Sequence, residues 1–354
     1  MEFDLDKLVR ENIKSLVPYS SARGEFGGDA EIFLDANENA LGSPLSENYS
    51  RYPDPLQTAV KTKLAHADSI SVSNIFVGNG SDEAIDLLIR IFCRPSIDNI
   101  LICPPTYGMY AVSANINDVR VKRTDLTRGF ELDFGSITDT IDDETKLIFV
   151  CSPNNPTGNS LNPDSILEIA NFFSGIVVVD EAYIHFSDQG SLIPEIGKHP
   201  NLVVLQTFSK AWGLAGLRVG LAFANTRIID LMNKVKPPYN VSQIAQKMIL
   251  EAFENVSVVE THIAEIVKMR GDMASNLARL SFVETVYPSD ANFLLVKMTD
   301  ANKIYDLLLS DKIVVRNRSN VALCEGCLRI TIGTSDENAS LIEALRKHEK
   351  GFVH

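Results

Sequence analysis

Short hydrophobic runs alternate with helical stretches between about residues 74 and 224. Each run is rich in β-branched residues and is continuously apolar, which is typical of strands buried on both faces. Seven runs of this kind lie at 74–80, 99–105, 119–125, 146–153, 175–182, 201–209 and 218–224. Because they are separated by helical segments, they predict an α/β fold with a mostly parallel seven-stranded sheet between helices.

The pattern changes after Arg227, where helical periodicity extends to about Leu280 with a break at residues 236–240. The segment beyond Leu280 predicts a small α+β domain. The elements expected there are strands at 291–298, 312–318 and 327–333, a helix over 301–310 and a last helix capped by Ser335. We predict an N-terminal arm that also belongs to the small domain, a large domain and a C-terminal small domain, over residues 1–45, 46–275 and 276–354.

Composition limits the classes of partner. The formal net charge of −13 argues against nucleic acid, because neutralising phosphates requires patches of Lys and Arg. No apolar stretch is long enough to span a membrane, and residues 1–19 lack the apolar core of a signal peptide, so a cytoplasmic location is predicted. The five scattered cysteines suit reduced thiols. Cys324 and Cys327 form one C-x-x-C without the second ligand pair that zinc needs, so no metal site is predicted.

Uncharged polar and aromatic residues follow several predicted strands. They lie at the carboxyl ends of those strands, where ligands of open α/β sheets bind. In "GNGSDE", Gly80 permits a tight turn and Ser81 suits a helix cap, so the turn is either a plain cap or an anion site. "PPTYG" presents Tyr107, either for packing or as a surface on which a ring stacks. "SPNNPTG" presents Asn155, either in an ordinary turn or to orient a polar ring.

Charged residues follow two further strands. Asp180 ends an apolar run, so its carboxylate needs a partner, either a helix terminus or a cationic group of a ligand. Lys210 follows the next run, and a desolvated lysine has a lowered pKa and reacts with carbonyls. Arg218 could bind a phosphate through two N–H groups. Together these features fit pyridoxal phosphate. The carboxyl ends of the strands carry an anion site, a flat aromatic, an amide, a carboxylate, a lysine and an arginine.

The sequence motifs resemble those of a known enzyme family over nearly the whole chain. "SPNNPTG", "VVVDEAY", "SKAWGLAGLRVG" and "CLRITIGT" occur in the order and spacing of the fold-type I pyridoxal-phosphate aminotransferases. "LVPYSSARG", "LDANENALG", "RYPDP", "GNGSDE" and "PPTYGMY" are more specific and resemble the histidinol-phosphate aminotransferases. One departure is Ala40, where relatives often have proline. The resemblance implies the aspartate-aminotransferase-like fold.

The resemblance also implies roles for the matching residues. Lys210 would form the Schiff base with pyridoxal phosphate and act as general base, Asp180 would partner the pyridinium nitrogen, and Tyr107 would stack on the ring. Tyr52 would reach the phosphate of the neighbouring subunit, which implies a homodimer. The other implied contacts are Gly80, Ser81, Asp82, Ser209 and Arg218 around the phosphate, Asn155 and Tyr183 at the phenolic oxygen, Arg329 at the α-carboxylate, and Tyr19, Asn37 and Arg316 at the far end of the substrate.

The activity implied is transamination between L-histidinol phosphate and 2-oxoglutarate, which gives imidazole acetol phosphate and glutamate in histidine biosynthesis. An aromatic amino-acid aminotransferase or a decarboxylase of an amino-acid phosphate would use the same cofactor residues. Another alternative is a non-catalytic regulator that binds both pyridoxal phosphate and DNA. The acidic net charge and an N-terminus without a helix-turn-helix pattern disfavour it. Trp212, the single tryptophan, has no predicted role beyond packing.

Overall fold

The computed structural model describes residues 3–19 and 32–349. Residues 20–31, which belong to the predicted N-terminal arm and include part of "LVPYSSARG", lie outside the described residues. Within the described ranges, no helix combines the length and the apolar character needed to cross a lipid bilayer.

A seven-stranded sheet forms the centre of the molecule, in the order β1-β7-β6-β5-β4-β2-β3. Its strands are β1 (Ile75–Asn79), β2 (Asn99–Ile102), β3 (Arg120–Arg123), β4 (Thr145–Cys151), β5 (Ile176–Asp180), β6 (Leu202–Thr207) and β7 (Val219–Ala224). Only β7 is antiparallel to its neighbours, β1 and β6. The structure therefore confirms the predicted mostly parallel α/β sheet.

Helices cover both faces of this sheet. They are α1 (Leu5–Leu8), α2 (Glu11–Lys14), α3 (Thr58–Asp68), α4 (Ser81–Phe92), α5 (Met109–Ile116), α6 (Phe134–Thr140), α7 (Pro163–Phe172), α8 (Thr226–Val235) and α9 (Gln243–Phe253). The next helix, α10 (Val256–Leu277), instead buries Met273 and Leu277 in the hydrophobic core of the C-terminal unit. Short 3₁₀ turns occur at Val72–Asn74, Ile184–Phe186, Ile193–Gly197 and Ala215–Leu217. Along β5, Val177 and Val179 join one hydrophobic cluster while Ile176 and Val178 join the other. The strand is continuously apolar because both of its faces are covered.

A second sheet has four strands in the order β10-β11-β9-β8, all antiparallel. The strands are β8 (Val283–Val286), β9 (Phe293–Met298), β10 (Arg316–Asn317) and β11 (Cys327–Thr331), and the helices beside them are α11 (Ala301–Ser310) and α12 (Ser335–Glu349). This small unit has its own hydrophobic core. The predicted run at 312–318 is a strand only at its end, and the partly exposed β8 has no predicted counterpart because its residues lack a continuous apolar pattern.

Two helix starts differ from the sequence-based expectation by one residue. Ser335 is the first residue of α12, and Thr334 caps it: Thr334 Oγ1 accepts from the Glu337 N–H, and Glu337 Oε2 accepts from the Thr334 N–H. Likewise Ser81 is the first residue of α4, with Gly80 at the cap position and no side-chain cap. An uncapped helix start leaves N–H groups available to an anion.

Candidate active site

A cavity with about 510 Å³ of empty volume opens at the carboxyl ends of the large-sheet strands. Most of the predicted cofactor-binding residues lie on its walls. The lining residues are Gly80, Ser81, Asp82, Tyr107, Cys151, Asn155, Asp180, Ala182, Tyr183, Thr207, Ser209, Lys210 and Arg218.

The turn between β1 and α4 packs against β7 backbone to backbone. A Cβ on Gly220 would lie 2.0 Å from the Ser81 nitrogen, so no side chain fits there. Gly80 has φ +76°, and a Cβ on it would lie 2.8 Å from Arg218 Nη2. The Arg218 guanidinium is also 3.6 Å from Asp82 Oδ2. The uncapped start of α4 and the Arg218 guanidinium therefore share one corner, which suits a phosphate group.

Asp180 ends β5 as a buried carboxylate. Its Oδ2 accepts a 2.7 Å hydrogen bond from the Tyr110 hydroxyl, and its Oδ1 accepts one of 3.1 Å from the Ala182 N–H. Burial raises the pKa of the Asp180 carboxyl above its usual range, although these hydrogen bonds oppose the change. Asp180 forms no ion pair within the described ranges, so a cationic group of a ligand would be its natural partner.

Tyr110 was not among the predicted site residues. It lies on α5, is fully buried, and stacks on Phe149 with 4.8 Å between ring centroids. A signal for it is present in the sequence, because a tyrosine on the buried face of a helix needs a partner for its hydroxyl. That partner is the carboxylate at the end of β5. Cys151, Ala182 and Thr207 were also missed as lining residues, and their small, weakly polar side chains give no comparable signal.

Lys210 differs from the expectation of a buried lysine, because its side chain is exposed to the cavity. The chain turns out of the sheet after β6, where Thr207 Oγ1 accepts from the Ser209 N–H at 3.1 Å, and Lys210 follows this turn. Desolvation by the cavity walls, and then the charge of Arg329, lower the pKa of the Lys210 amine. Its exposure means that this lowering is smaller than in a fully buried lysine.

Two tyrosines line the same cavity as Lys210. Tyr107 donates a 3.1 Å hydrogen bond to Asp82 Oδ1 and touches the Tyr110 ring edge-on. Tyr183 is buried, and its ring centroid is 5.5 Å from Lys210 Nζ. Burial raises the pKa of both phenols, so both hydroxyls stay protonated at neutral pH.

The second, four-stranded sheet, called the small sheet below, reaches the cavity through Arg329 on β11. The Arg329 Nη1 donates to Asn155 Oδ1, and its Cζ lies 5.0 Å from the centroid of the Phe293 ring. The same Phe293 ring meets Tyr183 edge-on at 5.2 Å. These contacts hold an arginine and an amide side by side at the border of the cavity.

Four of the predicted residues lie away from this cavity. Tyr52 stacks on Tyr239, with 4.4 Å between centroids, and shares a second surface cavity with Asn37. Tyr19 is 78% exposed. Arg316 is exposed, although it lies directly opposite Arg329 in the small sheet. The roles of all predicted site residues remain predictions, and within a single chain these four do not meet Lys210.

Known proteins place the chain in a family. The family model of class I and II aminotransferases matches residues 30–345. The histidinol-phosphate aminotransferase of Cytophaga hutchinsonii is 52% identical over 98% of this chain and all of that protein. The chain belongs to the histidinol-phosphate aminotransferases. Another member of this family, from Parabacteroides distasonis, is 51% identical over 97% of this chain and 98% of its own length.

Comparison with solved structures supports this family assignment. The histidinol-phosphate aminotransferase of Clostridium acetobutylicum superposes with a TM-score of 0.79 at 25% identity, over 86% of this chain and 92% of that one. The enzyme of Sinorhizobium meliloti in complex with pyridoxal-5'-phosphate superposes with a TM-score of 0.80 at 22% identity, over 90% of each chain. The fold is therefore that of the fold-type I pyridoxal-phosphate aminotransferases, and the chain is an aminotransferase.

Proposed function

We propose that this aminotransferase moves the amino group of L-histidinol phosphate to 2-oxoglutarate, giving imidazole acetol phosphate and glutamate in histidine biosynthesis. The substrate assignment rests on relatives of that name that are about half identical over nearly the whole chain. The chemistry rests on one observation: Lys210 and Asp180 line the same cavity, and Arg329 of the small sheet is held at its border. Neither the aromatic aminotransferase nor the phosphate decarboxylase is favoured by these relatives.

The residues present fit pyridoxal phosphate, the cofactor that family membership implies. The uncapped α4 start, Ser209 and Arg218 would hold its phosphate, where the glycines of the turn leave room. Asp180 is a buried carboxylate without a cationic partner in the described chain, as a protonated ring nitrogen requires. Tyr107 would cover the ring, and Asn155 and Tyr183 would hydrogen-bond its phenolic oxygen.

Lys210 is the proposed covalent attachment point and general base. Pyridoxal phosphate, when bound, supplies a carbonyl carbon for amine exchange and a ring that takes up the negative charge left at the substrate Cα. Lys210 Nζ would take the proton from that Cα. The cavity walls and Arg329 lower the pKa of the amine, which increases the unprotonated fraction available near neutral pH.

The other residues would set charge and position. The hydrogen bonds from Tyr110 and Ala182 fix the Asp180 carboxylate at the end of β5, where it stabilises positive charge. Arg329 would bind the α-carboxylate of glutamate with the guanidinium edge that Asn155 does not occupy. Because Tyr183 and Phe293 pack together at the junction of the two sheets, they would also limit the entry of water.

We also propose a homodimer in which Tyr52 serves the neighbouring subunit. The Tyr52 ring is half exposed and is supported by Tyr239, and it does not line the cavity of its own chain. Exposed apolar side chains lie nearby in the sequence, at Leu34, Leu41, Leu45 and Leu56. A contact with a second copy would bury them and bring Tyr52 to the partner's phosphate site.

The experiment that tests the substrate assignment compares amino donors. The cofactor-loaded protein is mixed with 2-oxoglutarate and with histidinol phosphate, phenylalanine or threonine phosphate, and both glutamate and carbon dioxide are measured. We expect the highest kcat/KM for histidinol phosphate, with glutamate and without carbon dioxide. A higher kcat/KM for phenylalanine, or carbon dioxide release from threonine phosphate, would assign the protein to one of the alternatives.

A further inference from the structure

The side chain of Asn240 joins segments of the chain that are distant in sequence. Its Nδ2 donates to the Val77 carbonyl at 3.1 Å and to Glu83 Oε2 at 2.9 Å. Its Oδ1 accepts from Gln57 Nε2 at 3.2 Å and from Lys236 Nζ at 3.1 Å. Both donors and both lone pairs of the amide are therefore occupied, which fixes the orientation of the side chain.

The donor side of Asn240 supports the turn that would hold the cofactor phosphate. β1 lies at the edge of the seven-stranded sheet, and Asn240 adds a hydrogen bond to Val77 of this strand. Glu83 Oε2, which accepts from Asn240, also accepts from the Asn79 N–H at the end of β1. The turn at residues 80–81 lies between Asn79 and Glu83, so this carboxylate holds the two ends of the turn together.

The acceptor side of Asn240 supports the segment that carries Tyr52. Lys236 Nζ and Gln57 Nε2 are the two donors to Asn240, and they also donate to the Pro55 carbonyl at 2.7 and 2.9 Å. Lys236 and Gln57 are both buried. In "YPDP" each proline has a fixed φ and restricts the residue before it, so anchoring Pro55 also restricts Tyr52.

Two further contacts connect the Tyr52 segment with the phosphate turn. Tyr239, the residue before Asn240, stacks on the Tyr52 ring with 4.4 Å between centroids and 13° between the ring planes. Burial lowers the pKa of the Lys236 amine to about 8, and the negative charge of Glu83 opposes this change. The carboxylate that holds the turn thus also stabilises the ammonium group that holds the Tyr52 segment.

We propose that Asn240 is a positioning residue that couples the two cofactor sites of a homodimer. Its donor side aligns the phosphate-binding turn of its own subunit, and its acceptor side aligns Tyr52 for the phosphate site of the neighbouring subunit. The inference rests on the proposed homodimer. Coupling between two sites is reciprocal, so binding of pyridoxal phosphate at either site favours binding at the other.

Mixed dimers with one intact cofactor site separate the two effects of Asn240. Two chains with different affinity tags, one of them carrying Lys210→Ala, are refolded together, and the mixed dimer is purified through both tags. The intact site then takes Lys210 and the phosphate turn from one chain and Tyr52 from the other. Asn240→Ala is placed either on the chain with Lys210 or on the chain with Lys210→Ala. The readout is the pyridoxal phosphate concentration that gives half-maximal borohydride labelling of Lys210.

Asn240→Ala on either chain should raise this concentration by about fivefold or more, which is the lower end of typical coupling between sites. Asn276→Ala is the matched control and should leave it unchanged on either chain. Asn276 is also half-buried, and its amide instead bonds the Asp272 carbonyl and Arg346.

Two variants that change one side of the amide separate positioning from a general loss of stability. Asn240→Asp keeps the acceptor oxygens and loses both donors, so it should weaken binding only from the chain with Lys210. Lys236→Met removes a donor to the acceptor side, so it should act only from the chain with Lys210→Ala. A general loss of stability would act equally from both chains. These two variants decide the question if Asn240→Ala does not refold.

An effect of Asn240→Ala from one chain only, or from neither chain, would overturn the proposal. Equal effects of Asn240→Asp from the two chains would do the same. If the wild-type protein sedimented as a monomer, the homodimer would fail and the coupling with it. Labelling of Lys210 does not depend on the amino donor, so a failure of the substrate assignment would leave this test intact.

Discussion

The Tyr110 hydroxyl donates a 2.7 Å hydrogen bond to Asp180 Oδ2, and both side chains are buried. Tyr110 comes from α5 and Asp180 from the end of β5, so this bond joins the helix layer to the strand end that carries the carboxylate. It is one of two hydrogen bonds that hold the carboxylate of Asp180 in place, with the other donated by the Ala182 N–H.

Tyr110→Phe removes that donor and keeps the ring. The Asp180 carboxylate then has one hydrogen bond fewer in a buried place, which costs about 1–3 kcal/mol. We expect a lower free energy of unfolding in urea and weaker binding of pyridoxal phosphate. Tyr107→Phe, which loses a bond to the part-exposed Asp82, should cost less stability. Equal losses of stability in the two variants would contradict the account.

Gly220→Ala should disrupt the proposed phosphate site between the start of α4 and Arg218. The added Cβ would lie 2.0 Å from the Ser81 nitrogen, and neither backbone segment can move aside cheaply. We expect a loss of stability of about 1–3 kcal/mol, as for other overpacked sites, and a higher dissociation constant for pyridoxal phosphate. Gly216→Ala is the control, because its Cβ would meet nothing within 4 Å. Wild-type cofactor affinity in Gly220→Ala would show that the turn does not hold the phosphate.

Glu181 should make stability depend on pH. Its buried carboxylate accepts from Ser191 Oγ, the Leu192 N–H and Gln206 Nε2 at 2.6, 2.7 and 3.0 Å. Burial nevertheless raises its pKa from 4.5 to about 7. The folded state therefore holds this proton more tightly than the unfolded state does, and the contribution to stability is full below about pH 4.5 and lost as the pH rises through 7.

The measurement compares wild type with Glu181→Gln in denaturant titrations at several pH values. The free energy of unfolding of the wild type should fall relative to the variant between about pH 4.5 and 7. A difference that stays constant over this interval would mean that the carboxylate does not titrate there.

Mixing two inactive variants tests the homodimer. If Tyr52 acts in the neighbouring subunit, a hybrid of Lys210→Ala and Tyr52→Ala chains has one intact site, made of Lys210 from one chain and Tyr52 from the other. After denaturation and joint refolding, we expect transaminase activity well above the sum of the two parents refolded separately. If Tyr52 served its own subunit, both sites of the hybrid would be damaged, and no activity would be regained.

The central sheet was predictable because burial on both faces leaves a direct trace in the sequence. The runs that became β4, β5 and β6 are continuously apolar, and they end at Cys151, Asp180 and Thr207 on the cavity wall. A polar residue directly after such a run lies where the strand leaves the sheet, at its carboxyl end. This is why Asp180 and Lys210 could be singled out before the structure was known.

Other features depend on contacts distant in sequence and were not predictable. The exposure of Lys210 follows from the turn after Thr207, and the pairing of Arg329 with Asn155 joins residues of different sheets. β8 was missed because a partly exposed edge strand of four residues has no continuous apolar pattern.

The most direct test of the central claim is to find which residue holds the cofactor. The protein is saturated with pyridoxal phosphate, reduced with borohydride, digested and mapped by mass spectrometry. We expect a pyridoxyl group on the peptide that contains Lys210. Lys210→Ala should keep a native circular-dichroism spectrum while losing both this label and transamination. A label on another lysine, or none on the saturated wild-type protein, would contradict the account.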